Sequence, residues 1–123
     1  MIFIIEDDKM MADCIVRACE GYETKIFSNA IAAMADIDQN MPDLIFLDIL
    51  LSGPDGFTFL NELASYSDTA KIPIIVVSSL NLENQDLSEY GVVGILNKDT
   101  MYPKEITAYA KRFAHKSAGS ASH

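Results

Sequence analysis

A chain of 123 residues, half of them hydrophobic, is long enough to bury roughly two-thirds of the surface its unfolded form exposes, so it needs neither disulfides nor zinc to fold. Nine Lys and Arg against eighteen Asp and Glu, a net charge of −9, exclude the clustered cations that direct nucleic-acid binding requires. No apolar run approaches the roughly 20 residues of a membrane span, and a strand begins at once with no basic leader or cleavage pattern, so a soluble, cytoplasmic protein with no membrane contact is expected.

The first element is the run Ile2-Phe3-Ile4-Ile5, which ends on Glu6-Asp7-Asp8. A strand that is apolar throughout is buried on both faces, as interior strands of parallel sheets are. Met11, Cys14, Ile15 and Ala18 then follow helical spacing, and that helix ends before Gly21. Cys14 and Cys19, five apart on a helix, point about 140° from each other and are badly placed to bond. They read as packing residues, as do Met10, Met11 and Met34. Tyr22 to Phe27 is a weaker strand, and Ser28 is the expected N-cap of a helix that turns Ile31, Met34 and Ala35 inward.

Pro42 marks the turn into a third strand, Leu44-Ile45-Phe46-Leu47, which again ends on an acid, Asp48. Turn residues Ser52-Gly53-Pro54-Asp55-Gly56 lead to a helix with Phe57, Leu60, Leu63 and Ala64 on one stripe. Ile74 to Val77 and Val92 to Leu96 are the fourth and fifth strands. Between them Leu80 to Gly91 is polar, and only a short or irregular helix is expected. A last helix carries Tyr102, Ile106, Tyr109, Ala110 and Phe113, with Pro103 in its first turn. Strands alternating with helices predict an α/β fold, a doubly wound five-stranded parallel sheet with helices on both faces. The domain is expected over residues 1–116, with 117–123 a flexible tail or the start of a linker.

If the first and third strands are neighbours, their acids meet at one edge. Three carboxylates within about 4 Å repel by roughly 4 kcal/mol per pair at an effective dielectric near 20. A hard divalent cation with oxygen ligands is the usual compensation. Ligands of such sheets sit beyond the carboxyl ends of the strands, where Glu6, Asp7, Asp48, Ser78 and Lys98 stand. Carboxylates, a hydroxyl and an ammonium suit phosphoryl transfer to an aspartate. Taken singly, each is better read as a turn, a cap or a surface charge; their convergence on one edge is what carries weight.

In that order and on those elements, Glu6-Asp7, Leu47-Asp48, Asp55-Gly56, Ser78 and Lys98 resemble the response-regulator receiver domains, the CheY-like, flavodoxin-like family that accepts a phosphoryl group from a histidine kinase. The resemblance covers about residues 1 to 116. It implies Asp48 as phosphoacceptor, and Mg²⁺ held by Asp7 directly, Glu6 through water, Asp48 and the backbone carbonyl of Leu50. Lys98 is implied to pair with Asp48 and then with the phosphoryl group, and Ser78 to bond a phosphoryl oxygen. Such a domain is not an enzyme on other substrates, since it catalyses only its own phosphorylation and dephosphorylation. Its implied partners are a sensor histidine kinase or phosphotransfer protein and an output domain or downstream protein, with room for a phosphorylation-dependent homodimer. Asp8 falls to the start of the first helix, where its dipole favours an acid.

Several positions depart from the family pattern. Ile95 replaces the aromatic three before Lys98, which rules out an aromatic rotamer switch there. Asp99 replaces the proline after Lys98, so a trans peptide is expected, and Ser52 stands where proline is frequent. Ile95 and Asp99 favour the competing reading, a receiver-fold protein-binding module that signals without phosphorylation. A dehalogenase-type phosphatase is disfavoured by Leu50, where a second aspartate would stand. Flavin binding is disfavoured by the acids after the first strand, which would repel a phosphate.

Overall fold

Each of the first, third and fourth strands is buried along its whole length, as its uninterrupted apolar sequence requires. The computed structural model describes residues 1–50, 56–80, 82 and 86–115. Its strands are β1 (Ile2–Ile5), β2 (Thr24–Phe27), β3 (Leu44–Leu47), β4 (Ile74–Ser78) and β5 (Val92–Asn97). They form one parallel sheet in the order β2-β1-β3-β4-β5. The doubly wound architecture expected from the sequence is therefore present. Ile5 lies beside Leu47 in the register of β1 and β3, so Glu6 and Asp48 leave the sheet side by side.

Alternation along the strands divides the core into two layers. Phe3, Ile5, Ile45, Leu47, Ile74 and Val76 face helices α2 (Ala30–Ile37) and α3 (Gly56–Ala64), whereas Ile2, Ile4, Leu44, Phe46, Ile75 and Val77 face α1 (Lys9–Ala18) and α4 (Pro103–Phe113). Among the described residues the connection from β4 to β5 holds a 3-10 turn, Ser88–Tyr90, closed by Gly91 at φ 82°, a left-handed angle that glycine adopts without strain. The short or irregular helix expected there is reduced to this turn, with Leu82 and Leu87 as its buried anchors. Asn81 and residues 83–85 lie outside the described residues.

Helix faces differ from the sequence expectation in ways that trace to caps and neighbours. The N-cap of α2 is Asn29, not Ser28: its Oδ1 accepts from the Ala32 N–H at 2.8 Å. Ala30, Ala33 and Ile37 are the buried face, while Ile31 is 63% exposed and Ala35 is exposed. On α3, Phe59 and not Phe57 joins Leu60 and Leu63 in the core, and Ala64 is exposed. Along α1 the buried positions are Ala12 and Ile15, with Cys19 closing the helix; Met11 and Ala18 pack at the margin. Met10 is 83% exposed, so it is not a packing residue. Cys14 and Cys19 are both free thiols, and burial pushes the Cys19 thiol up to about 12.

Helix α4 buries Ile106 and Ala110, with Tyr109 and Phe113 packed at the edge of the same layer. Tyr102 is the N-cap and is exposed, and its N–H donates to the Glu105 carboxylate at 2.8 Å. No cis peptide bond occurs among the described residues, in keeping with Asp99 after Lys98. The Thr69 hydroxyl donates to the Leu63 carbonyl at 2.6 Å in a buried setting, satisfying a carbonyl in the last turn of α3. Thr69→Val should leave that carbonyl without a donor and cost about 1–2 kcal/mol, measured as a lower urea midpoint with unchanged slope.

Candidate functional site at the carboxyl edge of the sheet

Parallel register continues for one residue beyond the strands and brings the site together. The Glu6 N–H donates to Phe27 O at 2.9 Å and the Asp48 N–H to Ile5 O at 3.0 Å. Both side chains are thus held by backbone pairing on neighbouring central strands. Glu6 is 3% and Asp48 5% exposed. One carboxylate oxygen from each of Glu6, Asp7 and Asp48 lies within 4.8 Å of the others, with Asp7 on the open side. Asp8 is separated from this group: it caps α1, its Oδ1 accepting from Met10 N–H at 2.9 Å.

Lys98 follows β5, and its N–H donates to Ser78 O at 3.0 Å. Its ammonium reaches back across the edge to Glu6 Oε1 at 2.8 Å and Asp48 Oδ2 at 3.2 Å. The nearer partner is Glu6, which the sequence did not indicate. Glu6 Oε1 is fully buried and has no well-directed hydrogen-bond donor among the described residues, so only the charge of Lys98 compensates it. Asp48 is better served, with Oδ1 accepting from the Leu50 N–H at 2.9 Å. This bond also turns the chain immediately after β3.

Burial pushes the Glu6 carboxyl up to about 7; the Lys98 contact and the Asp8 N–H pull it down, and the charge of Asp48 pushes it further up. Lys98 is partly desolvated, which works against its charge, but Glu6 and then Asp48 outweigh this and hold its pKa above the ordinary value. An ammonium shared by two buried carboxylates is therefore firmly charged.

Ser78 closes β4, fully buried opposite Asn97, and its hydroxyl oxygen accepts from the Leu80 N–H at 3.1 Å. It stands on the same edge as the acids, with its hydroxyl engaged by its own loop. Ile95 lies on β5 half-buried against the α2–α3 layer. Asp55 and Ser52 fall outside the described residues. Gly56 opens α3, and its N–H donates to Ile49 O at 3.2 Å.

Three carboxylates whose oxygens converge within 4.8 Å, two of them buried and compensated by a single ammonium, fit a hard divalent cation and fit Mg²⁺ in particular, which binds through carboxylates and keeps several waters. Glu6, Asp7 and Asp48 are the residues that could hold it.

An open parallel α/β sheet with an acidic cluster after its central strands and a lysine reaching across from β5 is a receiver type of architecture. The chain belongs to the response regulator receiver domain family, whose model matches residues 2–111. It is similar to the DNA-binding dual master transcriptional regulator RpaA of Synechocystis, 36% identical over 81 residues, which cover 64% of this chain and 34% of that protein. It thus matches only about a third of that relative's length. Among solved structures it resembles the Mn²⁺-bound form of response regulator Rcp1, with 25% identity, TM-score 0.77, and 89% of this chain and 91% of that one covered. The phosphorylated cyanobacterial phytochrome response regulator RcpA matches at 25% identity and TM-score 0.75, covering 91% of each chain.

Proposed function

We propose that this receiver domain accepts a phosphoryl group on Asp48 in a Mg²⁺-dependent reaction. The observation that carries the reading is that the Asp48 carboxylate sits at the end of β3 inside the acidic cluster, 3.2 Å from Lys98. An Asp48 oxygen attacks the phosphorus of a phosphohistidine; the new O–P bond forms as the P–N bond breaks, and the departing imidazole takes up a proton. Bound Mg²⁺ supplies neutralisation of the phosphoryl oxygens. Asp7 would hold it directly and Glu6 through water, with Asp48 and the Leu50 carbonyl completing the set. Lys98 exchanges part of its contact with the carboxylates for a phosphoryl oxygen, and Ser78 gives up the Leu80 N–H to donate to another. The manganese and the phosphoryl group named for the two solved relatives support this assignment.

A sensor histidine kinase or phosphotransfer protein is then the donor, and an output domain or downstream protein reads the change, with a phosphorylation-dependent homodimer as one form of readout. A cytoplasmic location goes with such partners. No helix among the described residues is long and apolar enough to cross a membrane.

Incubation with acetyl phosphate or phosphoramidate and Mg²⁺ should add one phosphoryl mass, which chelation or Asp48→Asn abolishes. Absence of the adduct under conditions that label a known receiver would sink the proposal and leave the phosphate-independent binding module. Metal binding is tested separately. Mg²⁺ at about 100 times its dissociation constant should add roughly 2.7 kcal/mol of stability, and Asp7→Ala should remove that response. A variant that still responds fully would show the ligand set to be wrong.

A further inference from the structure

Ile31 and Ala35, which helical period would have turned inward on α2, are instead exposed, and with half-buried Met34 they form one wall of an apolar trough against α3. Two depressions of about 530 and 430 Å³ share Met34, Asp38 and Glu62 in their walls, so they form one continuous trough. Its apolar surface comes from Ile31, Met41 and Tyr66, which are 63%, 48% and 61% exposed, with half-buried Met34 between them. Large apolar side chains gathered on one exposed face mark an interaction surface rather than ordinary scatter. Two methionines give such a surface walls that adapt to an incoming side chain.

The rim has one sign of charge. Asp38, Glu62 and Asp68 line the trough, and among the described residues no Lys or Arg does. We propose that this trough docks an amphipathic helix of a partner protein, with apolar residues at i, i+3, i+4 and i+7 laid along the floor and Lys or Arg on both flanks. The acidic rim selects this occupant. A second copy joined through this same face would set Asp38, Glu62 and Asp68 against themselves. The surface lies on α2 and α3, away from the groups proposed for phosphoryl transfer, so its failure and theirs are separable.

The test is an amide-shift titration of the whole ¹⁵N-labelled chain with a synthetic helix of about 15 residues, roughly four turns, bearing leucine on one face and lysine elsewhere. Two control peptides keep the leucine face with glutamate flanks, or keep the composition with the leucines scattered. Shifts should concentrate at residues 30–41 and 58–69. The lysine-flanked helix should bind at least about tenfold more tightly than either control and weaken as salt rises. Ile31→Lys and Glu62→Lys, both at exposed positions and so compatible with folding, should each weaken it by about tenfold, and Asp38→Lys should act in the same direction. Shifts spread over other surfaces, equal binding of the controls, or unchanged affinity in these variants would overturn the proposal. So would concentration-dependent broadening of the trough signals in the free protein, which would make a second copy the occupant.

Discussion

Lys98→Met should destabilise the metal-free protein by about 2–4 kcal/mol near pH 9 and by much less near pH 5. Among the described residues the lysine is the one cation on the buried Glu6 Oε1, at 2.8 Å, and it also contacts Asp48 at 3.2 Å. Removing it leaves two buried carboxylates facing each other, and removing one partner of a buried pair is costly because the other charge stays desolvated. Part of the lysine is in contact with solvent, which places the effect toward the lower end of the usual range. The pH dependence follows from Glu6, whose pKa in the folded state is already raised from 4.5 to about 7 and rises further without the ammonium. A group with a raised folded pKa contributes stability that is fully present below its unfolded pKa and is lost as pH rises through the folded one. Below about pH 7 the folded protein holds the Glu6 carboxyl largely protonated with or without the lysine, so the deficit should open as pH rises above about 7. Urea denaturation in the presence of a chelator checks this at both ends. A deficit of equal size at both would mean that lost packing, not uncompensated charge, is responsible. Mg²⁺ should recover part of the loss near pH 9, since the cation takes over the compensating charge.

Gly56→Ala should cost about 1–3 kcal/mol and slow phosphoryl labelling together with stability. Gly56 begins α3 where the chain passes close to the segment after β3. A Cβ there would stand 2.7 Å from the Ile49 Cα and 3.0 Å from its carbonyl oxygen, and backbone cannot move aside as a flexible side chain can. Ile49 adjoins Asp48, so relief of the clash displaces the loop in which the Leu50 N–H holds the Asp48 carboxylate at 2.9 Å. Calorimetric melting and the rate of adduct formation from acetyl phosphate measure the two effects. Wild-type values of both in Gly56→Ala would show that the close approach of Gly56 to Ile49 has no bearing on the site.

The strands and the acidic edge were legible in the sequence because both depend on local chemistry. Ile2 to Ile5, Leu44 to Leu47 and Ile74 to Val77 have no polar position to offer solvent, so only central strands can hold them. Acids placed directly after two such strands must then meet if the strands are neighbours, as β1 and β3 are. Asp8 was separable from Glu6 and Asp7 for a similar reason, since an aspartate ahead of a helical period is a natural cap. The face of α2 was not legible. Ala30-Ile31-Ala32-Ala33-Met34-Ala35-Asp36-Ile37 is apolar nearly all round, so its period carries little contrast between inside and outside. Seating Asn29 as the cap, one residue later than Ser28, accompanies an inward set of Ala30, Ala33 and Ile37. The choice between Phe57 and Phe59 on α3 was of the same kind, two phenylalanines close in sequence with no polar marker between the alternatives.

By itself the sequence determined the layered α/β architecture, the acidic edge and its membership among receiver-like chains, because hydrophobic runs and turn residues act over a few neighbours. Only the tertiary structure decided that Lys98 sits nearer to Glu6 than to Asp48, that Ser78 spends its hydroxyl oxygen on Leu80, and that Ile31 and Met34 border an open acidic trough. Each of these depends on how elements far apart in the chain are set against one another. Distances of that kind follow from packing and register across the whole sheet, and no local pattern of residues encodes them.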